Sequence, residues 1–204
     1  MKVKYYSLIF VLICIFVFIL QYLFIGFTDL FVLDNRAFIE VWRFLTSIFL
    51  HGGFAHLLSN MVALALFGTI LESVIGSKRF LILFLVTGIL ANIVSVFVYS
   101  SSLGASGAIF GVLGVLIVLR PFMLVWAAGL PMPMFVAGIF WALLDLMGIF
   151  DQSSNIANIA HLTGMLFGVL LGIFLRVRNK NKVNVGKIRF DEGLVRRWED
   201  YYMK

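Results

Sequence analysis

The sequence predicts an all-α integral membrane protein, a bundle of six transmembrane helices, and three observations carry that reading. Of its 204 residues, 62% are hydrophobic and 13% charged, and the mean hydropathy is +1.07. Soluble domains run at about 45–50% apolar and about 25% charged, so a chain of this composition has a bilayer as its natural solvent. Six apolar stretches approach the roughly 20 residues that cross a hydrocarbon core. Lysines and arginines gather on one side of those stretches.

Taken in order, Lys2 and Lys4 precede an uncharged run, Tyr5–Phe27. It is too long for the apolar region of a signal peptide and ends in Gln21-Tyr22-Leu23-Phe24, without the small residues of a cleavage site. Residues 1–28 are therefore expected to hold a retained first span. Its Cys14 is the only cysteine, which excludes an intrachain disulfide. Residues 29–53 are expected to form an extracytoplasmic interfacial loop, where Trp42 and Arg43 among Phe38, Phe44 and Phe49 suit partial immersion. Residues 54–175 supply spans two to six: Phe54–Ile75, Phe80–Tyr99, Gly104–Leu119, about Pro133–Phe150, and Ile156–Leu175. The fifth is started at Pro133, which suits a first helical turn, although Pro121–Met132 is also apolar. Residues 176–204 read as a basic cytoplasmic tail. In it Leu194, Trp198 and Tyr201 recur at helical spacing, as in a surface helix or simply a solvated tail.

The net charge of +6 is a topology signal rather than a nucleic-acid footprint. Lys78 and Arg79 join spans two and three, Arg120 follows span four, and Arg176, Arg178, Lys180 and Lys182 follow span six. The opposite side carries Arg36 and Arg43, outnumbered by Asp29, Asp34, Glu40, Asp145 and Asp151. The positive-inside rule then puts both termini in the cytoplasm, and an even number of spans agrees, since it leaves both termini on one side.

Four polar residues sit where lipid disfavours them: His56 and Asn60 on span two, Ser106 on span four, His161 on span six. Each has a bland reading taken singly. A membrane serine commonly bonds its own helix backbone, and an intramembrane asparagine or histidine commonly glues helices together. Their depths point to more. Ser106 lies 14 residues before Arg120, and His161 lies 15 before Arg176, about 21 and 22 Å at about 1.5 Å per residue. His56 and Asn60 precede Glu72 by 16 and 12 residues, about 24 and 18 Å on the same rise, and being i and i+4 they share a helix face. All four fall in one layer.

Ser106 is placed in the first turn of a short span, so Ser100–Leu103 must run non-helically at membrane depth, beside protein or a water-filled cavity. Gly107, Gly111 and Gly114 on span four, and Ala160, Gly164, Gly168 and Gly172 on span six, form small-residue stripes that let two helices approach closely. Packed along them, Ser106 and His161 come within reach. A serine hydroxyl becomes a nucleophile when an imidazole takes its proton, and the oxyanion that follows needs aimed donors. His56, Asn60 and the free backbone N–H groups at the start of span four can supply them. No spacing places a carboxylate behind His161, which favours a Ser–His dyad over a triad. Asn158, one turn before His161, is a candidate to hold the ring or the oxyanion. The soluble-hydrolase Gly-x-Ser-x-Gly elbow does not fit, since position 108 is Ala and no strand precedes the serine.

These residues resemble the rhomboid family of intramembrane serine proteases over roughly Glu40 to Gly172. Trp42-Arg43 resembles the Trp-Arg pair of the first extramembrane loop, and His51 with His56-x-x-x-Asn60 resembles the second-span histidines and asparagine. Gly104-Ala105-Ser106-Gly107 matches the Gly-x-Ser-Gly nucleophile motif, and Ala160-His161-x-x-Gly164 the Ala-His-x-x-Gly motif of span six. The resemblance implies a six-helix rhomboid-like bundle with Ser106 as nucleophile and His161 as base. It also implies an oxyanion site of His56, Asn60 and the Ser106 amide, supported by Gly104 and Gly107, and cleavage of single-span or membrane-anchored proteins near the outer leaflet. It implies no metal and no organic cofactor. Phe110 stands where many relatives place a tyrosine that stacks on the catalytic histidine; it keeps the ring and lacks the hydroxyl. Two rivals share some of these features. A small-solute transporter would need an inverted repeat or a deep acidic residue, and Glu72 is near an edge. A non-catalytic rhomboid-like binder would not need the serine and histidine that this chain retains.

Overall fold

The computed structural model describes residues 4–150 and 156–180. It divides into two units, Met1–Ile173 and Phe174–Lys204. The described part of the second is helical, and the tail with Leu194, Trp198 and Tyr201 lies outside the described residues, as does Asp151. In the first unit α1 (Tyr6–Leu23) is followed by a short α2 (Phe27–Phe31), β1 (Leu33–Asp34) and α3 (Arg43–Thr46). A continuous helical rod then runs from α4 (Phe54–Ala63) through a π-helical turn (Leu64–Gly68) into α5 (Thr69–Ile75). It is succeeded by α6 (Ser77–Ser95), β2 (Ser101–Ser102), α7 (Ser106–Leu119), the hairpin β3 (Leu124–Ala127) and β4 (Leu130–Pro133), α8 (Met134–Gly148) and α9 (Asn158–Lys180).

Four of these helices are long and apolar enough to cross a membrane: Tyr6–Leu23, Phe54–Ile75, Ser77–Ser95 and Asn158–Arg178. Their outer faces carry exposed apolar side chains, such as Leu12, Phe16 and Ile19 on α1, as expected of a multi-pass membrane protein. The other two expected spans are short apolar helices, α7 with 14 residues and α8 with 15, about 21 and 22 Å at about 1.5 Å per residue. Punctuation in the chain explains their length. Gly104, at φ +127°, holds a conformation that L side chains avoid, so helix begins only at Ser106, and Pro121 follows the last residue before α7 unwinds. The apolar stretch Pro121–Met132 forms a hairpin, its two-residue turn made by Ala128 and Gly129 at φ 52° and 76°, the signature of a type I′ connection.

Ser100–Leu103 runs non-helically as expected, with a bend at Ser100 leading into β2, and β2 pairs antiparallel with β1, Leu33 opposite Ser102 and Asp34 opposite Ser101. The interfacial loop is organised by Arg43, which is buried rather than lying at a surface. Its guanidinium donates to the carbonyls of Val32 at 2.7 Å and Asp29 at 2.9 Å and pairs with Glu40. Trp42 stays half exposed. Nearby, Arg36 hydrogen-bonds Asp34 and holds its carboxyl below the ordinary carboxylate range.

Because lipid is as apolar as leucine, helices here associate through close packing rather than a hydrophobic drive. Phe10 of α1 stacks on Phe84 of α6 at 4.7 Å between ring centroids. The start of α1 is closed by a buried carboxylate far along the chain. Glu72 of α5 accepts from the Tyr6 and Ser7 amides and from the Ser7 hydroxyl, each at 2.9 Å, while the Lys4 amide donates to Ser77 Oγ at 2.8 Å. Three donors at the start of α1, two of them backbone groups without an intrahelical partner, are thereby satisfied. Negative charge also suits that end of a helix.

Candidate active site

Ser106 is the first residue of α7, and Ile109 N–H is the first to find a helical acceptor, Ala105 O at 2.9 Å. The amides of Ser106, Gly107 and Ala108 precede it and are the unpaired donors of a helix start. The loop before them is anchored. Gly104 N–H donates to Ser47 O at 2.9 Å, and Ser47 Oγ accepts from Asn92 Nδ2 of α6, also at 2.9 Å. Asn92 also donates to Phe44 O at 2.8 Å. Ser47 and Asn92 belong to none of the motifs read from the sequence, and only a buried polar residue on span three hinted at the second.

A cavity of about 1000 Å³ opens beside Ser106. Its wall includes His56 and Asn60 from α4, Ser100–Leu103, Ser106 and Phe110 from α7, and His161 from α9. The structure thus brings the four out-of-place polar residues to one cavity. No hydrogen bond joins Ser106 to His161 among the described residues; both face the cavity. Hydrogen bonds of this kind are commonly long without substrate and tighten when it binds.

Gly104 makes room for His56. A Cβ there would stand 2.8 Å from His56 Cε1 and 3.0 Å from Nε2, with Ser106 Oγ 3.8 Å away. His56 Nδ1 accepts from the Gly52 amide at 3.4 Å, so in the neutral ring the proton sits on Nε2, on the side of Gly104 and Ser106. Behind it His51 is fully buried and edge-on, ring centroids 5.3 Å apart. Burial, then the neighbouring His56, pushes the pKa of His51 down to about 4. Asn60 lines the cavity but spends one of its two N–H donors on its own helix, at His56 O, 2.8 Å. Its Oδ1 is buried without a partner.

His161 is gripped on two sides. The Phe110 ring lies over it at 4.3 Å and 9° between planes, the stack expected from the sequence. Asp145, in the last turn of α8, brings Oδ1 to 2.9 Å from His161 Nδ1. This corrects the expectation that no carboxylate stands behind the ring; the packing of α8 on α9, invisible in the spacing, puts it there. Asn158 is placed otherwise than expected. It is buried against α8, where a Cβ on Gly148 would meet its Nδ2 at 2.6 Å, and it does not line the cavity.

The small-residue stripes meet as expected. A Cβ on Gly164 would stand 2.0 Å from Gly107 O, and one on Gly168 2.1 Å from Gly111 O, so α7 and α9 touch backbone to backbone. Gly107 also faces Ala91 of α6, which a Cβ would approach to 2.8 Å. The first turn of α9 is held from another side by Ile159 N–H, which donates to Tyr99 OH at 3.0 Å.

Known proteins similar to this chain fall in one family. Residues 39–178 match the family model for the Rhomboid domain. Rhomboid protease GluP of Bacillus subtilis (strain 168) is 41% identical over 135 residues, 63% of this chain and 25% of GluP. YdcA of the same organism is 38% identical over 146 residues, 70% of this chain and 71% of YdcA. RHOMBOID-like protein 1 of Arabidopsis thaliana is 36% identical over 149 residues, 68% of this chain and 36% of the plant protein. The chain therefore spans only a quarter of GluP and about a third of the plant relative, and the likeness is one of a shared domain. With that domain match covering well over half of the chain and every residue that lines the cavity, the chain belongs to the rhomboid family.

Proposed function

We propose that this protein is an intramembrane serine endopeptidase that cleaves single-span or otherwise membrane-anchored proteins, with Ser106 as nucleophile and His161 as base. The single observation that supports this most is the cavity shared by Ser106, His161, His56 and Asn60. Ser106 Oγ attacks the scissile carbonyl carbon while its proton passes to His161 Nε2. The oxyanion accepts from the Ser106 amide, from His56 Nε2 and from the remaining Asn60 Nδ2 donor. Collapse breaks the C–N bond, and the amine leaves with the proton from His161. Water, deprotonated by the same imidazole, then attacks the acyl ester and restores Ser106. The chain's own residues carry every step, with no metal or organic cofactor.

The accompanying architecture is a six-span rhomboid-like bundle in which α7 and α8 are the short spans. Residues 1–28 hold the first, 29–53 the extracytoplasmic loop, 54–175 the catalytic core and 176–204 a cytoplasmic tail. Both termini are cytoplasmic, following the lysine and arginine asymmetry. Ser106 then lies toward the outer leaflet, where the substrate is cut. Purified full chain mixed with a model single-span substrate, helix-weakening residues near its outer end, tests the reading. Cleavage by wild type that Ser106→Ala abolishes is expected; undiminished cleavage by a folded Ser106→Ala protein would overturn it.

Asn60→Ala is expected to lower kcat while the protein stays folded. Loss of one oxyanion donor costs about 10²–10³ in rate where few others remain. Two donors persist here, so a fall of roughly 10-fold to 10²-fold is expected in the same assay. Wild-type turnover would remove Asn60 from the oxyanion site.

A further inference from the structure

We propose that Asp145 is a positioning residue for His161, holding the base of the Ser106–His161 dyad in its working tautomer; this rests on the protease reading above. Its carboxylate is buried, 2.9 Å from Nδ1, with Oδ2 left without a partner. A lone carboxylate inside a membrane helix is costly. Here it also sits in the last turn of α8, the end of a helix that disfavours negative charge. Helix–helix adhesion alone would be served by a neutral amide at no such cost.

What the carboxylate does that an amide cannot is fix the tautomer. It only accepts hydrogen bonds, so the proton of a neutral His161 must sit on Nδ1. Nε2 is then left with a bare lone pair, as a base requires. Phe110 covers one face of the ring and Asp145 holds one edge, which leaves Nε2 as the free edge toward the cavity. An asparagine at 145 can turn its amide and donate to Nδ1, which moves the proton to Nε2 and disables the base.

The test uses Asp145→Asn and Asp145→Ala in the full chain in detergent, with kcat and KM measured separately. Both are expected to lose about tenfold or more in kcat, toward the roughly 10⁴ seen when such an aspartate is lost from a serine protease, with KM unchanged. In parallel, ¹⁵N-histidine spectra are recorded, simple because the chain has three histidines, with His161 assigned through His161→Gln. Wild type should show His161 protonated on Nδ1, and Asp145→Asn should shift that population. Wild-type kcat in folded Asp145→Asn, or an unchanged tautomer, overturns the proposal. The spectrum needs no cleavage, so it reads the ring even if the protease reading itself fails.

A second inference rests on separate observations. We infer that the β3–β4 hairpin is seated in the leaflet opposite Ser106, at the boundary of headgroups and acyl chains. Residues 121–133 contain no charged, hydroxyl or amide side chain, unusual for a connection meant for water. Phe122, Leu124, Trp126 and Leu130 are all exposed, Trp126 by 73%. The surface continues the lipid-facing side of α8 through Phe135, whose ring packs edge-on to Phe122 at 5.9 Å.

The backbone points the same way. Met134 N–H donates to Met123 O at 2.8 Å, and hydrogen-bonded pairs alternate along an antiparallel ladder. Leu124↔Pro133 and Trp126↔Pro131 are therefore the non-bonded pairs, whose N–H groups would point outward. On β4 both outward positions are proline, which has no N–H. An unpaired donor facing acyl chains is what lipid penalises most; the β4 edge has none, while the outward N–H groups of Leu124 and Trp126 on β3 suit the headgroup side of the boundary. Trp126 suits the interface, where tryptophan is enriched.

The probe is an environment-sensitive fluorophore on Trp126→Cys, and separately on Leu124→Cys, in a Cys14→Ala background. The full chain is placed in phosphatidylethanolamine/phosphatidylglycerol vesicles, with Lys78→Cys as the water-exposed reference. Blue-shifted emission quenched by lipids spin-labelled near the headgroup is expected at both sites. Emission like that of Lys78→Cys overturns the inference. So does blue-shifted emission that lipid quenchers do not reach, which would mean cover by protein, such as a second copy of this chain.

Discussion

Ser106→Ala, His161→Ala and the double variant are expected to fall to one common floor, each losing about 10⁴–10⁶ in turnover. The nucleophile is useless without a base, and the base has nothing to activate without the hydroxyl. Residues that act as a unit therefore show grossly non-additive losses. The two side chains face one cavity from different helices, so neither substitution removes the other's support. Stability has to be followed alongside, because removing His161 leaves the buried Asp145 unpaired, which carries its own penalty. Ser106→Ala is the cleaner arm, since it deletes one oxygen. If the double variant is much slower than either single one, the two residues do not work together.

Gly164→Ala should cost at least about 10²-fold in activity although it touches no reacting atom. Its new Cβ would lie 2.0 Å from Gly107 O, roughly 1 Å inside the closest approach such atoms tolerate. Both partners are backbone, so no side chain can swing aside, and α7 and α9 must separate. Gly107 follows Ser106 directly and Gly164 is one turn after His161, so the displacement enters between nucleophile and base. A misplacement of about 1 Å can cost about 10²-fold. Gly172→Ala is the internal comparison: its Cβ would meet Val118 Cβ at 3.0 Å and the Val115 Cα at 3.2 Å, a milder conflict further from the site. Equal, near-wild-type rates for both would mean that α7 and α9 are not in backbone contact.

The polar layer around the cavity was legible because it breaks the rules of its surroundings. Ser106, His161, His56 and Asn60 are polar groups in apolar runs, and their depth follows from counting residues. The glycine stripes revealed which helices meet, because only small residues permit that approach. Asp145 was visible as an acidic residue near the end of an apolar run, but its partner depends on the rotation of α8 about its axis. The Pro121–Met132 stretch was ambiguous for a different reason. Apolar composition marks a lipid-compatible segment and is indifferent to whether it coils or pairs; two prolines and a turn with positive φ at Ala128 decided for the hairpin. Arg43 was read as an interfacial cation, since a sequence does not display the carbonyls of Val32 and Asp29 that surround it.

Glu72 has a consequence in time. α1 leaves the ribosome before α5, yet the acceptor for its Tyr6 and Ser7 amides lies 66 and 65 residues further along the chain. Until α5 has been synthesised and has entered the bilayer, those donors are left to water and headgroups. The seating of α1 is thus provisional: its lock arrives with the C-terminal end of the rod that carries His56 and Asn60 at its other end. A nascent chain stalled before residue 72 would hold α1 without the acceptor that closes its first turn.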